Sequence, residues 1–161
     1  MDITEIEARI AIGETKARYC LTLDTKDWAG YADCFTEDLE MDTRPSGGIL
    51  TVGRDETVAI VRRSVETAAT CHHVHSPIMT FNMDGSADVI WAMQDRVVWG
   101  PDRRFEPGLT GHTGFGHYHE HYRKCADGRW RIARQKLTRL YSDNHYEGGI
   151  TKPAPNPAAP A

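Results

Sequence analysis

Ala87-Asp88-Val89-Ile90-Trp91-Ala92-Met93-Gln94-Asp95-Arg96-Val97-Val98-Trp99 alternates without a break. Ala87, Val89, Trp91, Met93, Val97 and Trp99 share one side, with Asp95 among them. Asp88, Ile90, Ala92, Gln94, Arg96 and Val98 share the other. A period of two over such a length marks a strand with one face on a core. The pattern recurs downstream. Residues 100–114 read as a long loop rich in Gly, Pro and charge, of the kind that forms lids or binding loops. Phe115–Cys125 and Arg129–Tyr141 read as strands joined at the hairpin turn Ala126-Asp127-Gly128. Upstream, Asn82-Met83-Asp84-Gly85 is a turn. The strand before it begins in Cys71-His72-His73-Val74-His75-Ser76-Pro77, which holds three of the eight histidines.

Before those histidines the period becomes helical. Residues 3–23 carry a stripe of Ile6, Ile10, Gly13, Ala17 and Cys20 that ends on Asp24. Asp27 reads as the N-cap of a second helix with Trp28, Tyr31 and Phe35. Leu39 to Thr43 reads as a short strand, Pro45-Ser46-Gly47-Gly48 breaks the chain, and Ile49 to Val52 resume it. A third helix after Gly53 carries Val58, Val61 and Val65. Three helices followed by mostly antiparallel strands give an α+β fold, with the helices on the concave face of a curved sheet and one pocket between them. Residues 1–145 form a single domain. Residues 146–161 form a Pro/Ala-rich tail without core-forming residues from Thr151 onward, read as extended or disordered.

A length of 161 residues with 40% hydrophobic and 26% charged content suits one folded domain. The net charge of −4 with no basic block argues against nucleic acid and against anionic membrane surfaces as partners. No apolar run reaches about 18 residues, so no membrane span is expected. Met1-Asp2-Ile3-Thr4-Glu5 lacks the basic and apolar regions of a signal peptide, and a cytoplasmic location is expected. Cys20, Cys34, Cys71 and Cys125 lack the spacing of a zinc site or a disulfide framework and are expected to be buried free thiols.

The chemistry-bearing residues stand out against this frame. His72 falls on one strand face and His73 and His75 on the other, although irregularity at the strand start leaves open which points inward. Imidazole exchanges protons most readily near neutral pH. Asp24 and Asp95 sit where the periodicity wants apolar residues, so each needs a partner: an Arg, backbone N–H groups, or a histidine whose tautomer it fixes. Tyr19 and Asp24 lie roughly 140° apart on an ideal helix at about 100° per residue. His117, His119 and His121 alternate with Tyr118, Glu120 and Tyr122. Over i, i+2, i+4 such histidines span about 13 Å, too far for one ion, so no metal site is expected. No phosphate loop and no nucleophile elbow occurs.

These residues carry a resemblance. Ala17-Arg18-Tyr19-Cys20-Leu21-Thr22-Leu23-Asp24 with Asp27-Trp28, His72-His73-Val74-His75-Ser76-Pro77, Trp91-Ala92-Met93-Gln94-Asp95, Gly116-His117-Tyr118-His119-Glu120 and Asp127-Gly128-Arg129-Trp130-Arg131-Ile132 are similar to the SnoaL-like branch of the nuclear transport factor 2 superfamily. Bile acid 7α-dehydratase is the nearer parallel; scytalone dehydratase and polyketide cyclases are more distant. The resemblance spans about residues 3–143. It implies a cone-shaped α+β barrel with one deep pocket, in homo-oligomers of two or three copies. It places catalytic roles on Tyr19, Asp24, His72 and Asp95, and pocket-lining roles on Trp91, Met93 and Tyr118, with His75 and His119 as further candidates. Thr43 stands where the bile acid enzyme has a second pocket tyrosine, and Met93 where scytalone dehydratase has a catalytic histidine. The expectation is a cofactor-independent lyase, without metal, that eliminates water from a hydrophobic cyclic or aromatic hydroxylated molecule. A retro-aldol C–C cleavage or a double-bond shift would use the same groups. The superfamily also holds non-catalytic members, such as β subunits of ring-hydroxylating dioxygenases, and fold alone decides little about function.

Overall fold

The computed structural model describes residues 2–100 and 106–153. Helix α1 runs Ile3–Thr25. Asp2 caps its start by accepting from Glu5 N–H, and Lys26 closes its end in the left-handed conformation. Helix α2 is the short Trp28–Asp33 segment, and Asp27 caps it by accepting from Gly30 N–H. Strand β1 (Phe35–Asp42) and strand β2 (Leu50–Val52) form a hairpin across the Pro45–Gly48 break, and helix α3 (Arg54–Val65) follows Gly53. Strands β3 (Ala69–Phe81), β4 (Ala87–Val98), β5 (Leu109–Lys124) and β6 (Trp130–Tyr146) form the antiparallel body of the sheet, and β7 (Ile150–Pro153) pairs with β6. The order is β2-β1-β6-β5-β4-β3, and β1 against β6 is the parallel pairing. Among the described residues no helix is long and apolar enough to cross a membrane.

The core lies between α1 and the concave face of the sheet. Tyr19, Leu23, Tyr31, Phe35, Leu39, Val89, Trp91, Met93, Tyr118, Tyr122 and Ile132 meet there. The strict alternation of β4 places Ala87, Val89, Trp91, Met93, Asp95 and Val97 inside. Bulges at Phe115/Gly116 and His121/Tyr122 between β5 and β6, and between His75 and Ile78 on β3, add the curvature. Between the β1–β2 hairpin and α3 lies a cavity of about 340 Å³, lined by Met41, Thr43, Ile49, Thr51, Ile60 and Val61 among others.

Several local readings change. The buried face of α1 is Ile12, Thr15, Lys16, Tyr19, Thr22 and Leu23, whereas Ile6 and Ile10 are exposed. Both sets recur at helical spacing; the true inner face contains a lysine and two threonines, which an apolar pattern discards. The loop after β4 ends earlier than residue 114, because β5 already begins at Leu109. Gly114 and Gly116 hold inward positions on it, opposite Asp95 and Met93, and hide the alternation. Residues 101–105 of this loop, read as a lid or binding loop, lie outside the described residues. The last strand and the start of the tail differ too: β6 extends to Tyr146 and Ile150–Pro153 add a strand by backbone pairing alone, which needs no apolar side chains. The cysteines are all free; Cys34 is buried, Cys20 and Cys125 partly so. Cys71 is exposed on the outer sheet face beside His73, contrary to the expectation of burial.

Candidate active site

Two elements meet at the C-terminal end of α1. The helix presents Asp24 to the first residues of β3, and the strand register fixes what it meets. His72 pairs with Asp95 and Val74 with Met93 across β3 and β4, so His72 shares the inward face with Asp95 and Met93. Its Nδ1 lies 2.7 Å from Asp24 Oδ1, and its backbone N–H donates to Asp24 Oδ2 at 2.8 Å. Thr70 Oγ1 donates to Oδ1 at 2.8 Å. Burial pushes the Asp24 carboxyl up, but the bonds and charge of His72 and the Thr70 hydroxyl outweigh it, and the group sits below the ordinary carboxylate value of 3.8. An ionised Asp24 accepting from Nδ1 keeps the proton on that nitrogen. Nε2 is then the nitrogen that can exchange a proton with a ligand.

Asp95 is the second carboxylate, and it is paired with an arginine that the alternation pattern does not flag. Arg139 on β6 donates from Nη1 to Oδ1 and from Nη2 to Oδ2, both at 2.6 Å. Burial alone would lower the Arg139 pKa, yet the bonds and charge of Asp95 raise it above the usual value. Beside the pair stands His112 on β5, with Nε2 4.0 Å from Asp95 Oδ1 and Nδ1 3.1 Å from Asn144 Oδ1. Burial and then the Arg139 charge hold His112 below the ordinary histidine value, so its imidazole is neutral at pH 7. Its Nε2 is buried and has no hydrogen-bond partner among the described residues.

Gly114 makes room for this cluster. A Cβ there would lie 2.5 Å from Arg139 Nη1 and 3.1 Å from His112 Nε2. The guanidinium is pinned at both ends of its fork and has no free direction in which to yield. Gly114→Ala is therefore expected to push Arg139 off Asp95 and to lower the unfolding free energy by about 1–3 kcal/mol, measured by urea denaturation.

Tyr19 sits deeper, 3% exposed, with its ring 5.9 Å from that of Tyr118. Gln135 Nε2 donates to its hydroxyl at 3.2 Å, and the hydroxyl also shares hydrogen bonds with those of Tyr31 and Tyr118. Burial, then the neighbouring Tyr118, push its pKa well above 10. Tyr118 lies within the field of Asp95 and Arg139. Tyr19 therefore connects to the Asp95–Arg139 side of the interior, and no hydrogen bond joins it to Asp24 or His72 among the described residues.

The remaining candidates separate. Trp91, Met93 and Tyr118 line the concave face. His75 is exposed on the opposite side of β3 from His72, because alternation sends 73 and 75 outward. His119 likewise faces outward beside Thr138, since Tyr118 and Glu120 take the inner positions of β5. Neither can touch a ligand held by His72. Thr43 is half-buried at the mouth of the α3 cavity, its hydroxyl closed in a turn with Ile49 O at 2.8 Å. The fixed turn keeps it from the work of a pocket tyrosine. No group of three or more His, Cys, Asp or Glu with metal-holding geometry occurs among the described residues. Arg139, His112, Lys16 and Thr70 were missed. For Arg139 the signal existed: a buried carboxylate at Asp95 requires a cation or several donors.

With a helix end delivering Asp24 to an inward histidine at the rim of a cone, the comparisons become informative. The model of the SnoaL-like domain family matches residues 4–136. The chain belongs to this family. It is thereby a SnoaL-like member of the nuclear transport factor 2 superfamily, and its cone is the fold of that superfamily. A relative named "Probable cyclase FGR4" from Gibberella zeae is 26% identical over 144 residues, covering 84% of this chain and 93% of the relative. The solved "Putative Scytalone Dehydratase" from Novosphingobium aromaticivorans superposes with a TM-score of 0.75 at 22% identity, covering 100% of this chain and 99% of the other. A hexachlorocyclohexane dehydrochlorinase (LinA) Type2 gives a TM-score of 0.74 at 14% identity, over 96% and 98% of the two chains. At such identities the two structures speak for the fold alone.

Proposed function

We propose that this SnoaL-like protein is a cofactor-independent lyase that eliminates water from a hydrophobic, cyclic hydroxylated small molecule by general acid/base catalysis. One observation carries the reading: the 2.7 Å contact of His72 Nδ1 with an Asp24 carboxylate that also accepts the His72 backbone N–H. Two bonds to one residue fix both the position and the ring orientation of the imidazole. His72 Nε2 takes the proton from a carbon activated by an adjacent carbonyl. The imidazolium, stabilised by Asp24, then gives a proton to the departing hydroxyl. Atoms balance as substrate to alkene plus water. Arg139, a cation held by Asp95, and the Tyr19 hydroxyl, part of a hydrogen-bonded group with Gln135, Tyr31 and Tyr118, are the groups that would stabilise a developing enolate oxygen. Asp95 holds Arg139 in place. Trp91, Met93 and Tyr118 offer the apolar walls that a ring system needs. The relative named a probable cyclase, from the same family, favours chemistry of this kind.

The test is a panel of β-hydroxy ketones on cyclic and aromatic frames, incubated in D₂O and followed by proton NMR. The expected result is loss of the hydroxyl and formation of the double bond, slowed by about 10²–10⁴-fold in His72→Ala. Turnover by His72→Ala at the wild-type rate overturns the reading. Deuterium exchange at the activated carbon without elimination would instead favour the isomerase variant of the same chemistry.

A further inference from the structure

We propose that Lys26 and Thr70 form a clamp that orients the Asp24 carboxylate, and through it the His72 imidazole; the proposal rests on reading Asp24 and His72 as the acid/base pair. Lys26 is the residue after α1, with φ 64° and ψ 26°. A left-handed C-cap is the usual place for glycine, because a Cβ crowds the following carbonyl there. Its backbone N–H bonds to Leu23 O, a contact any residue but proline could make. The reason for a lysine must then lie in its side chain.

That side chain folds back over the helix end. Nζ donates to Leu23 O at 3.2 Å and to Thr70 Oγ1 at 2.7 Å. An ammonium can only donate. The Thr70 oxygen is thereby the acceptor toward Lys26, and its own hydrogen is directed onto Asp24 Oδ1 at 2.8 Å. Three donors then bind the carboxylate: the Thr70 hydroxyl and His72 Nδ1 on Oδ1, and the His72 backbone N–H on Oδ2. The chain of bonds from a charged donor polarises the hydroxyl and strengthens its grip on the anion. A plain helix cap, a cation on terminal carbonyls, accounts for the contact with Leu23 O but not for the one with Thr70. Other titratable or charged groups around Asp24 are Cys20 on its own helix, His72 on β3, and Asp95 across from His72 on β4, which Arg139 of β6 already binds.

The experiment is a ¹³C-carboxyl NMR titration of Asp24 in wild type, Lys26→Gly, Thr70→Val and Thr70→Ser, with thermal melting and turnover of an identified substrate beside it. Lys26→Gly suits the left-handed backbone, so it keeps the fold while removing the ammonium. Both Lys26→Gly and Thr70→Val are expected to raise the Asp24 midpoint by about half a unit or more. Thr70→Ser, which keeps the hydroxyl, is expected to titrate as wild type. Lys26→Gly should lower kcat with KM retained. An Asp24 midpoint unmoved in both Lys26→Gly and Thr70→Val overturns the clamp, whatever turnover does. A moved midpoint together with turnover indifferent to His72→Ala leaves the clamp standing and removes the acid/base reading instead.

Discussion

Lys16→Met is expected to lower the unfolding free energy by about 3–5 kcal/mol in urea denaturation. Lys16 Nζ bonds Glu120 Oε1 at 2.6 Å, and both side chains are 0% accessible. The ammonium also lies 3.7 Å from the centroid of the Tyr19 ring and 3.8 Å from that of Tyr118. Two aromatic faces and one carboxylate thus replace its hydration. Glu120 Oε2 accepts from Tyr122 at 2.6 Å. Methionine matches the lysine stem and keeps the packing, but leaves Glu120 as a buried carboxylate with the tyrosine alone. A buried ion whose partner is removed costs far more than the pair itself contributes. The double variant Lys16→Met, Glu120→Met is therefore expected to recover most of the loss. A cost under about 1 kcal/mol for the single change would show that water reaches the pair in solution. The ion pair also sits directly beneath Tyr19, so Lys16→Met should disturb the phenol's position even where the protein still folds.

Asp24→Asn is expected to reduce turnover by about 10²–10⁴-fold while the protein stays folded by circular dichroism. The reason is a count of donors. Asp24 accepts three hydrogen bonds, two on Oδ1 and one on Oδ2. An asparagine offers one acceptor oxygen and one NH₂ group. With the NH₂ at the Oδ2 position it faces the His72 backbone N–H; at the Oδ1 position it faces Thr70 and the ring. In the second orientation Nδ1 must accept, the proton moves to Nε2, and the base is lost. The sign of the pH effect follows from the depressed Asp24 value. Its contribution to stability is fully present above the unfolded value of about 3.8 and is lost as pH falls through the lower, folded value. Loss of activity near pH 6 would thus arise from a group other than Asp24.

Alternation along β4 was enough to place Asp95 inside, and caps and periodicity before the histidines were enough to find α1, α2 and α3, although Phe35, read into α2, opens β1. The resemblance added the meeting of Asp24 with His72, which lie 48 positions apart and which no local pattern could join. The rest failed where chemistry and periodicity disagree. Lys16 belongs to the inner face of α1, but a lysine reads as solvent-facing until a carboxylate from β5 is known to lie opposite. Arg139 and His112 depend on register: the bulge at Phe115/Gly116 between β5 and β6 decides which side chains of the two strands share a face. His75 and His119 illustrate the reverse error, since neighbours in sequence on a strand point to opposite sides of the sheet.

What the sequence determined by itself was therefore local: helix and strand types, turns, and a carboxylate, Asp95, on the apolar face of β4, while the stripe that singled out Asp24 was not the buried face of its helix. The partners of those carboxylates were decided by tertiary structure alone. Hydrophobic burial is set by each residue's own side chain and leaves a periodic trace. Satisfying a buried charge takes a second group from a distant strand, and that choice leaves no trace in the local pattern.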